Sequence, residues 1–128
     1  MKNPFETHGA FSWTELMTRD VPAARKFYGD LLGWKFKEMN VTGSTYAVIS
    51  AGDQEIGGIM ATPSEVNQMA PEWGTYVTVK SVDDVAKRAK SLGGKVLVEP
   101  TDIPTVGRFA VIMDPQGARL SVITYAPR

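Results

Sequence analysis

Apolar residues along this chain follow two periods, and the points where the period changes mark the elements. Phe11–Met17 is a short strand candidate. Val21, Ala24, Phe27, Tyr28, Leu31 and Leu32 then recur at spacings of three and four, which predicts a helix over 21–32 with one apolar stripe. Asp20 is placed to cap that helix, Pro22 falls in the first turn where its missing N–H costs nothing, and Gly33 is placed to end it. Strand patterns follow at Trp34–Asn40, Thr45–Ser50 and Glu55–Met60, with Gly52-Asp53 as the turn between the last two. Thr62–Glu72, with two prolines and little periodicity, reads as a linker.

The same order then returns. Thr75–Val79 is rich in β-branched residues, and Ser81 followed by Asp84 resembles a capping box. Val82, Val85, Ala89 and Leu92 form a second helical stripe, which Gly93-Gly94 terminates. Lys95–Glu99, Arg108–Met113 and Ala118–Thr124 complete the set of strands, with Asp114-Pro115-Gln116-Gly117 as the final turn. The repetition extends to residues. Tyr46-Ala47-Val48-Ile49 returns 63 positions later as Phe109-Ala110-Val111-Ile112, and Ile56–Met60 returns as Arg119–Ile123 at the same offset. Gly33-Trp34-Lys35-Phe36 matches Gly93-Gly94-Lys95-Val96 at an offset of 60. The expected class is therefore α+β: one domain of 128 residues built from two βαβββ modules, about 8–62 and about 73–126.

Composition narrows the partners. Fourteen Lys and Arg balance 14 Asp and Glu, which leaves no cationic excess for a nucleic-acid backbone. The absence of cysteine excludes disulfide frameworks, thiolate metal sites and a cysteine nucleophile together. No run approaches the ~18 apolar residues of a membrane span. Met1–Asn3 followed by Pro4 lacks the charged start and apolar run of a signal peptide, so the expected location is cytoplasmic.

Three segments carry a resemblance to a known family. They are Asp20-Val21-Pro22-Ala23-Ala24-Arg25-Lys26-Phe27-Tyr28 leading to Leu31-Leu32-Gly33-Trp34, Val79–Asp84 leading to Leu92-Gly93-Gly94-Lys95-Val96, and Asp114-Pro115-Gln116-Gly117 before the last strand. With the strands between them they resemble the vicinal-oxygen-chelate superfamily, which contains glyoxalase I, extradiol dioxygenases, fosfomycin-resistance enzymes and bleomycin-resistance proteins. The small bacterial proteins of glyoxalase or bleomycin-resistance type are the nearest in pattern. The resemblance implies curved mixed sheets around a cleft, with the helices outside. Residue parity then sets Leu16, Val77, Val79, Leu120 and Val122 under the helices. The opposite parity sends Trp13, Glu15, Met17, Ile56, Gly58, Met60, Tyr76, Thr78, Arg119, Ser121 and Ile123 inward.

Metal-dependent members of that superfamily carry His or Glu on the first and last strand of each module. Matching the motifs puts those positions at Trp13, Gly58, Gly74 and Ser121, which supply one hydroxyl and no imidazole or carboxylate. The expectation is a metal-independent protein with no cofactor, which binds a small organic molecule in an aromatic-lined cleft. Trp13, Trp73 and Tyr76 would stack the ligand, Met60 would adapt to it, and Glu15, Arg119 and Ser121 would supply the polar contacts. The alternative is a lyase or isomerase of glyoxalase type, with unexpected metal ligands or with Glu15 as general base. His8, the sole histidine, falls near an end expected to fray, and Arg108 reads as a surface residue. A homodimer is expected, since family members often pair.

Overall fold

The computed structural model describes residues 3–41, 44–62 and 70–127, so most of the expected linker at Thr62–Glu72 lies outside the described residues. After a 3-10 turn at Pro4–Glu6, the elements run β1 (Phe11–Thr18), α1 (Val21–Leu32), β2 (Lys35–Val41), β3 (Ser44–Ala51), β4 (Gln54–Ala61), β5 (Glu72–Thr78), α2 (Val82–Ser91), β6 (Lys95–Ile103), β7 (Gly107–Met113) and β8 (Arg119–Tyr125). This is the expected α+β class, with strand–helix–three-strand order stated twice. The chain divides into two compact units: Trp13–Gly74, and Met1–Ser12 together with Thr75–Arg128.

In the unit Trp13–Gly74 the sheet order is β2-β3-β4-β1. β1 runs parallel to β4, with Glu15 beside Gly58 and Met17 beside Met60, while β3 is antiparallel to both of its neighbours. Leu16, Ala47, Ile49 and Ile59 are buried on one face, and Val21, Ala24 and Tyr28 of α1 pack against them with Trp34 and Phe36. Asp20 caps α1 by accepting from Ala23 N at 3.0 Å, and Gly33 closes it in the left-handed region at φ 74°. The expected single stripe is too wide. Phe27, Leu31 and Leu32 stay 59%, 62% and 52% exposed. A helix on one sheet has one side to bury, which Val21, Ala24 and Tyr28 fill; Phe27 sits about 90° around the axis from that line, whereas Leu31 and Leu32 lie in the last turn of the helix.

In the other unit the order is β5-β8-β7-β6, with β5 parallel to β8 through Tyr76–Ser121, Val77–Val122 and Thr78–Ile123. Val79, Val82, Ala110 and Val122 form its core, joined by Val77, Val85 and Ile112. Ser81 Oγ accepts from Asp84 N at 3.2 Å, as the capping pattern predicts. Leu92, expected in the α2 stripe, lies at the C-cap beyond the last helical turn and is 67% exposed. β6 continues to Ile103, past its expected end at Glu99. The ladder shifts register between Val98 and Thr101, so Pro100 sits where no N–H is asked for.

Arg108 clamps two elements of this unit. Its Nε and Nη2 donate to the Asp83 carboxylate at 2.9 and 3.0 Å, and its Nη1 donates to Asp102 at 3.0 Å. These bonds hold the Asp83 carboxyl below its ordinary range and raise the guanidinium further above its own. The amino-terminal segment is also tied down, contrary to the frayed end expected around His8. Gly9 N donates to Thr78 O at 2.7 Å, Thr78 N to Ala10 O at 2.8 Å, and Thr78 Oγ1 to Pro4 O at 2.7 Å. Phe5 meets Tyr125 edge to face at 5.0 Å. The pairing of Gly9 and Ala10 with Thr78 follows no apolar pattern, so nothing in the periodicity announces it.

Candidate functional site

Leu16 and Ile59 lie in the core under α1, so their neighbours in the sheet face the other way. That opposite face of the unit Trp13–Gly74 carries Trp13, Glu15, Met17, Gly58 and Met60, and Tyr46 joins them as the register partner of Met60. Glu15 is 9% exposed, a level rare for a carboxylate without partners.

Gly58 explains how the carboxylate is satisfied. A Cβ at this position would fall within 3.0 Å of Tyr46 Oη, Cζ and Cε1, so the phenol lies where any side chain at residue 58 would begin. From that seat Tyr46 Oη accepts from Trp13 Nε1 at 2.9 Å and donates to Glu15 Oε2 at 2.7 Å. The direction is forced, because an indole N–H only donates and an ionised carboxylate only accepts. The second bond has the short length of a charge-assisted contact. The result is a relay of indole, phenol and carboxylate on a strand framework.

The unit containing Thr75–Arg128 repeats the geometry with different chemistry. Tyr76 stands beside Ser121 as Glu15 stands beside Gly58, and Phe109 pairs with Ile123 as Tyr46 pairs with Met60. Carboxylate and phenol are thus replaced by a buried phenol and a phenyl ring. Arg119 lies across from Met113 on this sheet and is exposed.

The structure therefore gathers Trp13, Glu15 and Met60 on one face, and Tyr76 and Ser121 as cross-strand neighbours in the other unit. Trp73 is placed differently from expectation. Its Nε1 donates to Tyr28 Oη at 3.3 Å, and its ring meets Tyr28 and Trp34 edge to face at 5.4 and 5.9 Å. Tyr28 and Trp34 belong to the packing around α1, so Trp73 joins an aromatic cluster of the unit Trp13–Gly74. Tyr46 is the functional candidate that sequence reasoning missed. The signal was available: an inward glycine opposite a strand whose inward residues include a large aromatic.

The donor set does not fit a divalent cation. Trp13 commits its N–H to Tyr46, Gly58 is overlaid by the phenol, Gly74 has no side chain, and the Ser121 hydroxyl is no ligand on its own. Among the described residues, no three His, Asp or Glu side chains gather as a metal site would require.

Comparison with known proteins agrees with this architecture. Residues 10–122 match the model of the Glyoxalase/Bleomycin resistance protein/Dioxygenase superfamily. "Putative glyoxylase CFP32" of Mycobacterium tuberculosis is 41% identical over 121 residues, which are 94% of this chain and 46% of that protein. "Anthracycline biosynthesis protein DnrV" of Streptomyces peucetius is 36% identical over 115 residues, which are 90% of this chain and 41% of that one. The chain thus spans less than half the length of these curated relatives. A crystal structure of methylmalonyl-CoA epimerase from Mycobacterium tuberculosis superposes with a TM-score of 0.66 at 18% identity, covering 93% of this chain and 89% of the epimerase. A hypothetical protein from Bacillus halodurans superposes at 0.69 and 13% identity, covering 95% and 98% of the two chains. At such identities the shared property is the fold. The strand–helix–three-strand units and the family match together show that this chain belongs to the Glyoxalase/Bleomycin resistance protein/Dioxygenase superfamily.

Proposed function

We propose that this chain binds a small organic molecule without a metal ion, and that the Trp13–Tyr46–Glu15 relay recognises a cationic or hydrogen-bond-donating group on it. The observation that carries the reading is the direction of the relay. Trp13 spends its only N–H on Tyr46, and Tyr46 spends its only O–H on Glu15. The donors of the cluster thus point inward and end at the carboxylate, so the groups it presents to a ligand are acceptor oxygens and the Trp13 indole face. Its complement is an ammonium, an amidine or a ring N–H, held by the carboxylate and by the π-face of Trp13. Met17 and Met60 on the same face give the adaptable packing of a site that takes more than one shape. The relative named for anthracycline biosynthesis supports a small organic molecule as the kind of ligand. With a formal net charge of zero, recognition is local and no long-range field steers a polycation. The reading includes a homodimer in the cytoplasm with no nucleic-acid partner; among the described residues no helix is long and apolar enough to cross a membrane.

The test is a fluorescence titration of a Trp34→Phe/Trp73→Phe variant, in which Trp13 alone reports. Aromatic amines are expected to change its emission saturably, and aromatic acids of the same size are not. Glu15→Gln keeps an acceptor for Tyr46 but removes the charge, and should weaken amine binding about tenfold or more. Emission that stays constant across a broad amine panel would overturn the reading.

A further inference from the structure

A separate recess lies within the unit Thr75–Arg128, on the side covered by the amino-terminal segment. It is a cavity of about 200 Å³ with buried Val79 at its base, Phe5 and Tyr125 as aromatic walls, and the exposed side chains of Glu6, His8 and Lys80 at its rim. The hydroxyls around it are committed. Thr78 Oγ1 donates to Pro4 O and Thr124 Oγ1 donates to Val79 O, each at 2.7 Å. Two donors remain at the rim. Lys80 N donates to His8 Nδ1 at 2.9 Å, which fixes the neutral imidazole as the tautomer with its proton on Nε2. The Lys80 ammonium enters no ion pair among the described residues.

We propose that this cavity binds a small monocarboxylate with a compact aromatic or branched apolar body. The carboxylate sits between His8 Nε2–H and the Lys80 ammonium, and the body rests on Phe5, Tyr125 and Val79. Three features choose this class. One neutral and one cationic donor at the rim match the two oxygens of a carboxylate. The walls are ring edges and an aliphatic side chain, which favour a hydrocarbon body. The volume falls below the roughly 300 Å³ at which drug-sized pockets begin, so the body is about one ring in size. Glu6 at the same rim sets a specificity rule, since its carboxylate repels any second negative charge on the ligand. Dicarboxylates and phosphate esters are therefore poor ligands. The site shares no residue with the Trp13 relay and stands or falls independently of it.

Amide NMR titrations with benzoate, benzamide and phthalate test the assignment on the intact chain. Benzoate is expected to move the amides of residues 5–8, 78–80 and 124–125 saturably, with an affinity of about millimolar order for a ligand of this size. Benzamide and phthalate should leave those amides in place at equal concentration. Lys80→Met should weaken benzoate about tenfold or more, and Lys80→Arg should restore most of the loss. The proposal is overturned by absent or non-saturable shifts at these amides, by equal binding of benzamide, or by an unchanged affinity in Lys80→Met. Benzoate shifts centred on the Trp13 indole resonance would equally overturn it, because they would place the acid in the other unit.

Discussion

Gly58→Ala adds a single methyl group, and the structure sets its cost. Two effects oppose each other. Alanine in place of glycine restricts the unfolded chain and stabilises a strand position by up to about 1 kcal/mol where the native backbone tolerates it. Against that, the new Cβ would stand within 3.0 Å of three atoms of the Tyr46 phenol, and the phenol is a rigid ring that cannot bend aside atom by atom. It has to leave its seat. Leaving forfeits the bond from Trp13, worth about 1 kcal/mol, and the bond to the buried Glu15 carboxylate, worth about 1.5–3 kcal/mol. The clash outweighs the entropy, with a net loss of about 2–3 kcal/mol. For a chain of this length that corresponds to a fall in Tm of about 10 °C, read by differential scanning calorimetry.

A double-mutant cycle separates the clash from other causes. In a Tyr46→Ala background there is nothing left to displace, so Gly58→Ala should be neutral within about 0.5 kcal/mol or slightly stabilising. In a Tyr46→Phe background Cζ and Cε1 remain in the way, so the substitution should still cost stability, by less than in the native chain because the hydroxyl bonds are already gone. Equal costs of Gly58→Ala in all three backgrounds would refute the argument, since Tyr46 would then have no part in it.

Other outcomes follow from the same geometry. Gly57→Ala should be worse than Gly58→Ala, about 3 kcal/mol or more or outright failure to fold. Its Cβ would strike the backbone oxygen of Thr14, which cannot rotate away without parting β1 from β4; urea midpoints compare the two variants. Asp83 should titrate below its ordinary value because Arg108 donates to it twice. The pair's contribution to stability is then present above that ordinary value and lost as pH falls through the depressed one. Arg108→Gln should return the Asp83 carboxyl to the ordinary range in a carbon-detected NMR titration, and an unmoved titration would contradict the clamp. Dialysis against a strong chelator should leave Tm unchanged within about 1 °C, since the donor set at Trp13, Gly58, Gly74 and Ser121 does not fit an ion; one bound zinc, nickel, manganese or iron per chain by elemental analysis would refute that reasoning.

The helix termini were legible because capping chemistry is local. Asp20 with Gly33 and Ser81 with Asp84 read the same in sequence and in structure. The order of elements along each unit followed from the repeat, and face parity followed from Leu16, Val77, Val79 and Val122, which lie under the helices as expected. Periodicity failed where the outcome depended on what was absent overhead. Phe27 is apolar at helical spacing and remains exposed, because spacing records which residues share a side and not how wide a side the sheet covers; Leu31 and Leu92 remain exposed at the carboxy-terminal ends of their helices. The expected end of β6 at Glu99 falls just before Pro100. Proline ends strands that need its N–H, but β6 is the last strand of its sheet order and shifts register there. In the site, Trp13 and Glu15 were readable by parity alone. Trp73 falls in the unit Trp13–Gly74 and not in the second module, because its ring partners Tyr28 and Trp34 are far from it in sequence. Tyr46 was missed because it sits in an apolar strand as one letter of a repeat, and only the register that sets it beside Gly58 gives it a role.

Gly58 also links the two halves of the functional argument. A residue at this position either projects its own side chain from the sheet or leaves the space for the Tyr46 phenol; the two occupants exclude each other. Any ligating side chain here would therefore evict the phenol, leaving the Glu15 carboxylate without the 2.7 Å bond from Tyr46 and Trp13 without its acceptor. The equivalent position in the other unit faces no such choice. Ser121 carries a side chain, and the residue that corresponds to Tyr46 is Phe109, which has no hydroxyl to seat. One sheet topology thus carries the Glu15 carboxylate with a phenol seated over Gly58 in one unit, and the Tyr76 phenol with the Phe109 ring in the other. Installing histidine at position 58 should consequently fail to create a working metal site unless Tyr46 is shortened in the same variant, and a Gly58→His single variant that bound zinc with the Tyr46 to Glu15 bond intact would show that the two occupants can coexist after all.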